Sequence, residues 1–159
     1  MSDSRPPDEP LSARGLRFGV VASRFNADIV EHLLAATLAC LRELGAEERA
    51  VRVVRVPGAF EIPLAARLLC ERGDVDAVVA LGAVVKGETS HHLFLGAEVL
   101  RALSQVALDT RVPVACGLLT TDSEAQARER ARPDSPANRG RQAARSAVEM
   151  AGLARALRG

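Results

Sequence analysis

Lys86 is the only lysine in a chain with 20 arginines, and it opens the run Lys86-Gly87-Glu88-Thr89-Ser90-His91-His92. These residue types can bind an anion and move a proton. Gly87 lets the backbone come close to a ligand. Glu88, Thr89 and Ser90 lead into a helix start, where free N–H groups and the helix dipole attract negative charge. His91 or His92 can carry protons near neutral pH. A histidine at a helix start is more often a surface or capping residue, so the run needs supporting neighbours before it reads as a site.

Two further runs supply them. Ser23-Arg24-Phe25-Asn26 puts a large apolar ring in a turn, either to staple the next helix or to stack on a planar ligand. Asn26 is expected to cap that helix. Val56-Pro57-Gly58-Ala59-Phe60-Glu61-Ile62-Pro63 brings a second turn Phe and a carboxylate. Glu61 either favours a helix dipole or accepts hydrogen bonds from ligand hydroxyls. No P-loop, Gly-x-Gly-x-x-Gly, Gly-x-Ser-x-Gly or metal-ligand cluster occurs in the chain.

The elements that position these runs follow from periodicity. Leu16 to Ala22, Val51 to Val56, Ala77 to Val85 and Val112 to Leu119 read as strands, the third apolar throughout and suited to a sheet centre. Between them, helices are predicted over Asn26 to Leu44, Ile62 to Arg72 and His91 to Thr110. Thr121-Asp122-Ser123-Glu124 offers cap chemistry for a helix ending near Ala131, and a last helix runs from about Asn138 to Leu157. The alternation implies right-handed βαβ units: an α/β three-layer sandwich, with a parallel four-stranded sheet between helices. In such sheets ligands bind beyond the carboxyl ends of the strands. All three runs above fall there.

Composition narrows the function. The chain has 159 residues, enough for one core, with 48% apolar and 26% charged residues. A formal net charge of +1 gives no general attraction to nucleic acid or anionic membrane. With no Tyr or Trp, a base-stacking platform is not expected. Cys40, Cys70 and Cys116 are far apart and odd in number, as for reduced thiols in the cytoplasm. The longest apolar run is about half a membrane span. Residues 1–14, with Pro6, Pro7 and Pro10, read as a flexible arm without a signal-peptide pattern, and 15–159 as a single domain.

Taken in order, Ser23 to Asn26, Val56 to Pro63, Gly82 to His91, Leu119-Thr120-Thr121-Asp122 and Asn138-Arg139-Gly140 resemble the successive motifs of the lumazine synthase family. The resemblance covers about residues 16 to 157, and its strength lies in five motifs with near-family spacing. It implies a flavodoxin-like strand order and a reaction of riboflavin synthesis. In that reaction 5-amino-6-(ribitylamino)uracil condenses with 3,4-dihydroxy-2-butanone 4-phosphate. The product is 6,7-dimethyl-8-ribityllumazine, with phosphate and water released. No metal or organic cofactor is implied. The partners implied are these small molecules and further copies of the chain, in a pentamer with sites between neighbours.

By the same resemblance Phe25 stacks on the pyrimidine, with Phe60, Lys86 and Arg139 nearby. The backbone at Gly58, Ala59, Val84 and Val85 reads the ring and ribityl chain, and Glu61 holds ribityl hydroxyls. His91 is the proton-transfer residue. Gly87, Glu88 and Thr89 bind phosphate, and Arg130 completes that pocket from the adjacent subunit. Four positions depart from the family pattern. Lys86 replaces the usual Arg, His92 a usual aromatic ring, Cys116 an aromatic cover for the ligand, and Gln142 a frequent Asp. A flavin-binding paralogue would keep Phe25 and lose His91 or the phosphate run, and a purely structural shell protein would not need the Glu-Thr-Ser-His turn. The link Arg132 to Ala137 carries Pro133 and Pro136 in place of the Gly-rich, Lys-containing link of shell-forming members. It implies a free pentamer or at most a pair of pentamers.

Overall fold

In a computed structural model that describes residues 10–159, four strands form one parallel sheet in the order β2-β1-β3-β4. The strands are β1 (Phe18–Ser23), β2 (Val51–Val56), β3 (Ala77–Val85) and β4 (Val114–Thr121). The helices are α1 (Ala27–Glu43), α2 (Ile62–Glu71), α3 (His91–Thr110), α4 (Glu124–Arg130) and α5 (Arg139–Arg158). The architecture is the expected three-layer α/β sandwich. Residues 1–9 of the expected arm lie outside the described residues. Its last part packs: Ala13 is buried, and its N–H donates to Leu44 O at 2.8 Å.

β3 pairs with β1 on one side and β4 on the other, so its apolar run is enclosed. Its side chains alternate between two cores. Ala77, Val79, Leu81 and Ala83 meet α1, α4 and α5 through residues such as Val30, Leu33, Ala127 and Ala143. Val78, Ala80 and Val84 meet α2 and α3 through Ile62, Ala66, Val99 and Leu103. β2 is an edge strand with Arg52, Val53 and Arg55 exposed.

Three expectations are corrected. β4 begins and ends two residues later than predicted, because its pairing carries Thr120 and Thr121 alongside Val84 and Val85. Asn26 does not cap α1 with its side chain. It takes a left-handed conformation, φ 55°, and its Nδ2 donates to Ala83 O at 2.8 Å, tying the end of β1 to β3. Two short 3-10 turns, Glu48–Ala50 and Ala59–Glu61, precede β2 and α2 and have no counterpart in the sequence periodicity.

The small residues of α5 allow a close crossing with α1. A methyl group on Gly140 would drive into Leu33 O and lie 2.8 Å from Thr37 Oγ1. The buried Thr37 hydroxyl donates to Leu33 O at 2.9 Å or Gly140 O at 3.0 Å. Asn138 caps α5, accepting from the Gly140 and Arg141 N–H groups, while its Nδ2 donates to Ala131 O at 2.9 Å. The proline link is thus pinned at both ends. Gly140→Ala should destabilise the fold by about 1–3 kcal/mol through overpacking. Gly152→Ala, in the same helix but facing open space, should gain about 0.5–1 kcal/mol. Urea midpoints check both, and equal midpoints would mean the helices are not in close contact at Gly140.

Candidate active site

The strand order reverses direction between β1 and β3, and the post-strand turns meet beyond their carboxyl ends. β1 ends in Ser23, and Arg24 N–H donates to Val56 O at 2.9 Å while Phe25 N–H donates to Pro57 O at 3.2 Å. These bonds lock the first turn against the second. Phe25 lies 73% exposed, so it is no helix staple. A Cβ on Gly58 would stand 3.8 Å from Phe25 Cδ2, so the ring lies against bare backbone. Arg24, Phe25, Asn26 and Pro57 line an open cleft of about 480 Å³.

Glu61 has a structural task as well as an exposed position. Its Oε2 accepts the Gly58 N–H at 3.0 Å, and its own N–H donates to Gly58 O at 3.3 Å. This reciprocal pair shapes the Ala59–Glu61 turn in the manner of a capping box. Both carboxylate oxygens retain acceptor capacity for a ligand. Ala59 is buried and Phe60 is 72% exposed. Val84 and Val85 close β3, and the Lys86 N–H donates to Thr121 O at 2.9 Å. Beyond that bond, residues 86–91 are exposed. The His91 N–H donates to Thr89 Oγ1 at 3.3 Å, at the head of a 20-residue helix. The exposed His91 imidazole and the α3 N-terminus therefore share one end of the molecule with Phe25 and Glu61.

The other expected residues lie elsewhere in the same chain. Cys116 is on the edge strand β4, close enough to Arg139 at the start of α5 to feel its charge. Burial pushes the Cys116 thiol up, with the Leu118 backbone hydrogen bond and Arg139 pulling the other way. It stays a neutral thiol at pH 7 and is no nucleophile. Arg130 ends α4, an exposed residue on the α1 and α5 side of the sheet. One chain thus assembles Phe25, Gly58, Ala59, Phe60, Glu61, Val84, Val85, Lys86, Gly87, Glu88, Thr89 and His91 around three turns. Cys116 sits on the edge strand with Arg139 beside it, and Arg130 ends α4, whose Arg128 reaches Asp28 at the start of α1.

Among the described residues, two buried polar side chains stand out that residue type alone does not mark. Ser23 Oγ has no hydrogen-bond partner, nor has either ring nitrogen of His92. In the sequence His92 is visible as an alternative to His91 for proton transfer and as a departure from the aromatic pattern. Its burial is readable from the stripe His92, Gly96, Val99, Leu103 and Val106, which repeats at helical spacing.

The family model described as 6,7-dimethyl-8-ribityllumazine synthase matches residues 15–155. A protein of that name from Aquifex aeolicus is 43% identical over 148 residues, covering 93% of this chain and 96% of its own length. Another of the same name from Cupriavidus necator is 48% identical over 147 residues, covering 92% of this chain and 86% of its own. With the motifs, the flavodoxin-like strand order and both relatives in agreement, the chain belongs to the 6,7-dimethyl-8-ribityllumazine synthase family, transferases of riboflavin biosynthesis.

Proposed function

We propose that the chain carries out the family reaction with Phe25, Glu61, Thr89 and His91 from one subunit and Cys116, Arg139 and Arg130 from its neighbour in a cytoplasmic homopentamer. The observation that carries this reading is the meeting of Phe25, Glu61 and the 86–91 run at one end of the sheet. The pyrimidine stacks on the exposed Phe25 ring. Glu61 accepts from ribityl hydroxyls while it keeps the Gly58 turn in place. The positive end of the α3 dipole, the exposed backbone before it and the Thr89 hydroxyl hold the phosphate of the butanone substrate.

Chemistry then needs proton traffic more than a nucleophilic side chain. The pyrimidine amine attacks the ketone and water leaves to form the imine. Phosphate is expelled, and the second amine closes the ring with loss of water. His91 hands protons between these groups, a task suited to an exposed imidazole near neutral pH. Holding both partners together supplies much of the acceleration, since it replaces a bimolecular encounter.

Oligomerisation is supported by two features. Leu64, Leu68, Leu93, Phe94, Leu100 and Leu108 leave α2 and α3 with exposed apolar side chains, more than a lone soluble chain needs. Cys116 and Arg139, assigned to the second half of the site, stand at the β4 edge, with β3 between them and the β1 turn that carries Phe25. Free cysteines, two of the three buried, suit a reducing compartment.

His91→Ala should lower kcat by about 10-fold to 100-fold with the fold intact; an unchanged steady-state rate of lumazine formation, followed optically, would sink the assignment. Arg130→Ala should raise KM for the butanone phosphate on the order of 10-fold or more, the worth of a charge-assisted bond, and leave KM for the pyrimidine nearly unchanged. Equal effects on both constants would make Arg130 structural. Light scattering on the size-exclusion peak should give a pentamer or a pair of pentamers, because the pinned proline link sets its own angle between α4 and α5. An icosahedral particle or a monomer would contradict this.

A further inference from the structure

His92 is the buried side chain that packing explains least. It is 4% exposed, on the inner stripe of α3, with both ring nitrogens unpartnered. An imidazole in an apolar stripe costs folding free energy unless one nitrogen finds a partner. An acceptor stands close: Asp122 Oδ1 is 3.6 Å from His92 Nε2. That is just beyond hydrogen-bond length. The Asp122 side chain is 75% exposed, so a change of rotamer closes the gap without disturbing the core. Its backbone is held, the N–H donating to Gln126 Oε1 at 3.0 Å.

The position of this pair is what gives it a task. At the start of the exposed run 87–91, the Lys86 N–H is bonded to Thr121 O. At its end, His92 stands against Asp122. Thr121, the last residue of β4, and Asp122, the first of the β4–α4 turn, therefore face the two ends of the run. Gly96, one turn further along α3, lets the helix close onto Thr120 beside them. We propose that His92 is a positioning residue, whose Nε2–H donates to the Asp122 carboxylate. Together with the Lys86–Thr121 bond, this tie clamps the run that presents Thr89 and His91. The inference rests on the reading of that run as the phosphate and proton-transfer segment. His92 does not touch substrate; it acts through the loop it closes, and a loop loose by about 1 Å is enough to impair a site of this kind.

The test has a structural arm and a kinetic arm. The chain has three histidines, so a spectrum of protein labelled with ¹⁵N-histidine can be assigned by single substitutions. His92 should show a protonated Nε2 whose signal moves in Asp122→Ala. An unprotonated Nε2, or a signal that does not move, overturns the proposal. In the kinetic arm His92→Phe keeps the bulk and loses the donor, while Asp122→Ala loses the acceptor. Each should raise KM for the butanone phosphate on the order of 10-fold and leave KM for the pyrimidine within about 2-fold. The double variant should be no worse than either single one, and His92→Gln, which keeps an N–H donor, should recover most of the loss. Losses that multiply, or an unchanged phosphate KM, overturn the proposal. If His92→Phe does not fold, Asp122→Ala at its exposed position decides. A wild-type chain that forms no lumazine would fail the functional reading, whereas the histidine spectrum judges the tie independently.

Discussion

β3 has a hydrogen-bonded neighbour on each side and a core on each face, so the site depends on its enclosure. A strand held on four sides cannot shift register without turning its whole set of side chains to the wrong core. Val84 and Val85 therefore leave the sheet at a fixed point, and Lys86 is bonded to Thr121 directly after it. The Asn26 side chain reaches the same strand at Ala83, which sets the first turn relative to the third. The second turn is set through the first, by the bonds from Arg24 and Phe25 to Val56 and Pro57. Three exposed and individually weak turns thus acquire a common origin in one buried strand.

Much of this is legible in the sequence because burial on two faces leaves a plain record. Ala77 to Val85 is an unbroken apolar run, and its two ends are the ends of the observed strand. α3 is equally readable from its stripe and its polar lead-in. β4 is displaced because its end is polar: Thr120 and Thr121 resemble the beginning of a cap, and only pairing with β3 makes them strand. Asn26 misleads for a related reason. Its residue type suits both a cap and a left-handed turn, and a long-range bond to Ala83 selects the second. Of two adjacent histidines, nothing in residue type says which one is buried; the spacing to Gly96 and Val99 does. The roles of the individual site residues come from resemblance. Residue chemistry alone leaves Phe25 and Glu61 with two readings each.

The two faces of the sheet have different duties. On the α1 and α5 side, Gly140, Thr37 and Asn138 bring helices together with little freedom, and a single added methyl meets backbone. On the α2 and α3 side, the outer surface is rich in exposed leucines, and the head of α3 carries the exposed residues of the site. The α1 and α5 side is thus the tightly packed one, and the α2 and α3 side the one that leaves apolar surface exposed. β4 is an edge strand: its Cys116 lies near Arg139 at the start of α5, and β3 stands between it and β1, the strand that leads into the Phe25 turn.

Substitutions at such a site must be judged by what each residue does for the loop as well as for the ligand. Glu61 illustrates the coupling: its carboxylate holds the Gly58 N–H that shapes the turn beneath Phe25. Removing the carboxylate would disturb the stacking surface along with any ribityl hydrogen bond, so weaker binding would not by itself identify the bond responsible. Cys116 is the opposite case. Its thiol is pushed up by burial, and it stands as a small side chain where the family pattern has a large ring. The exposed Phe25 ring is held in place by the backbone bonds of Arg24 and Phe25, and that fixation would limit the conformational entropy lost were a planar ligand to settle on it.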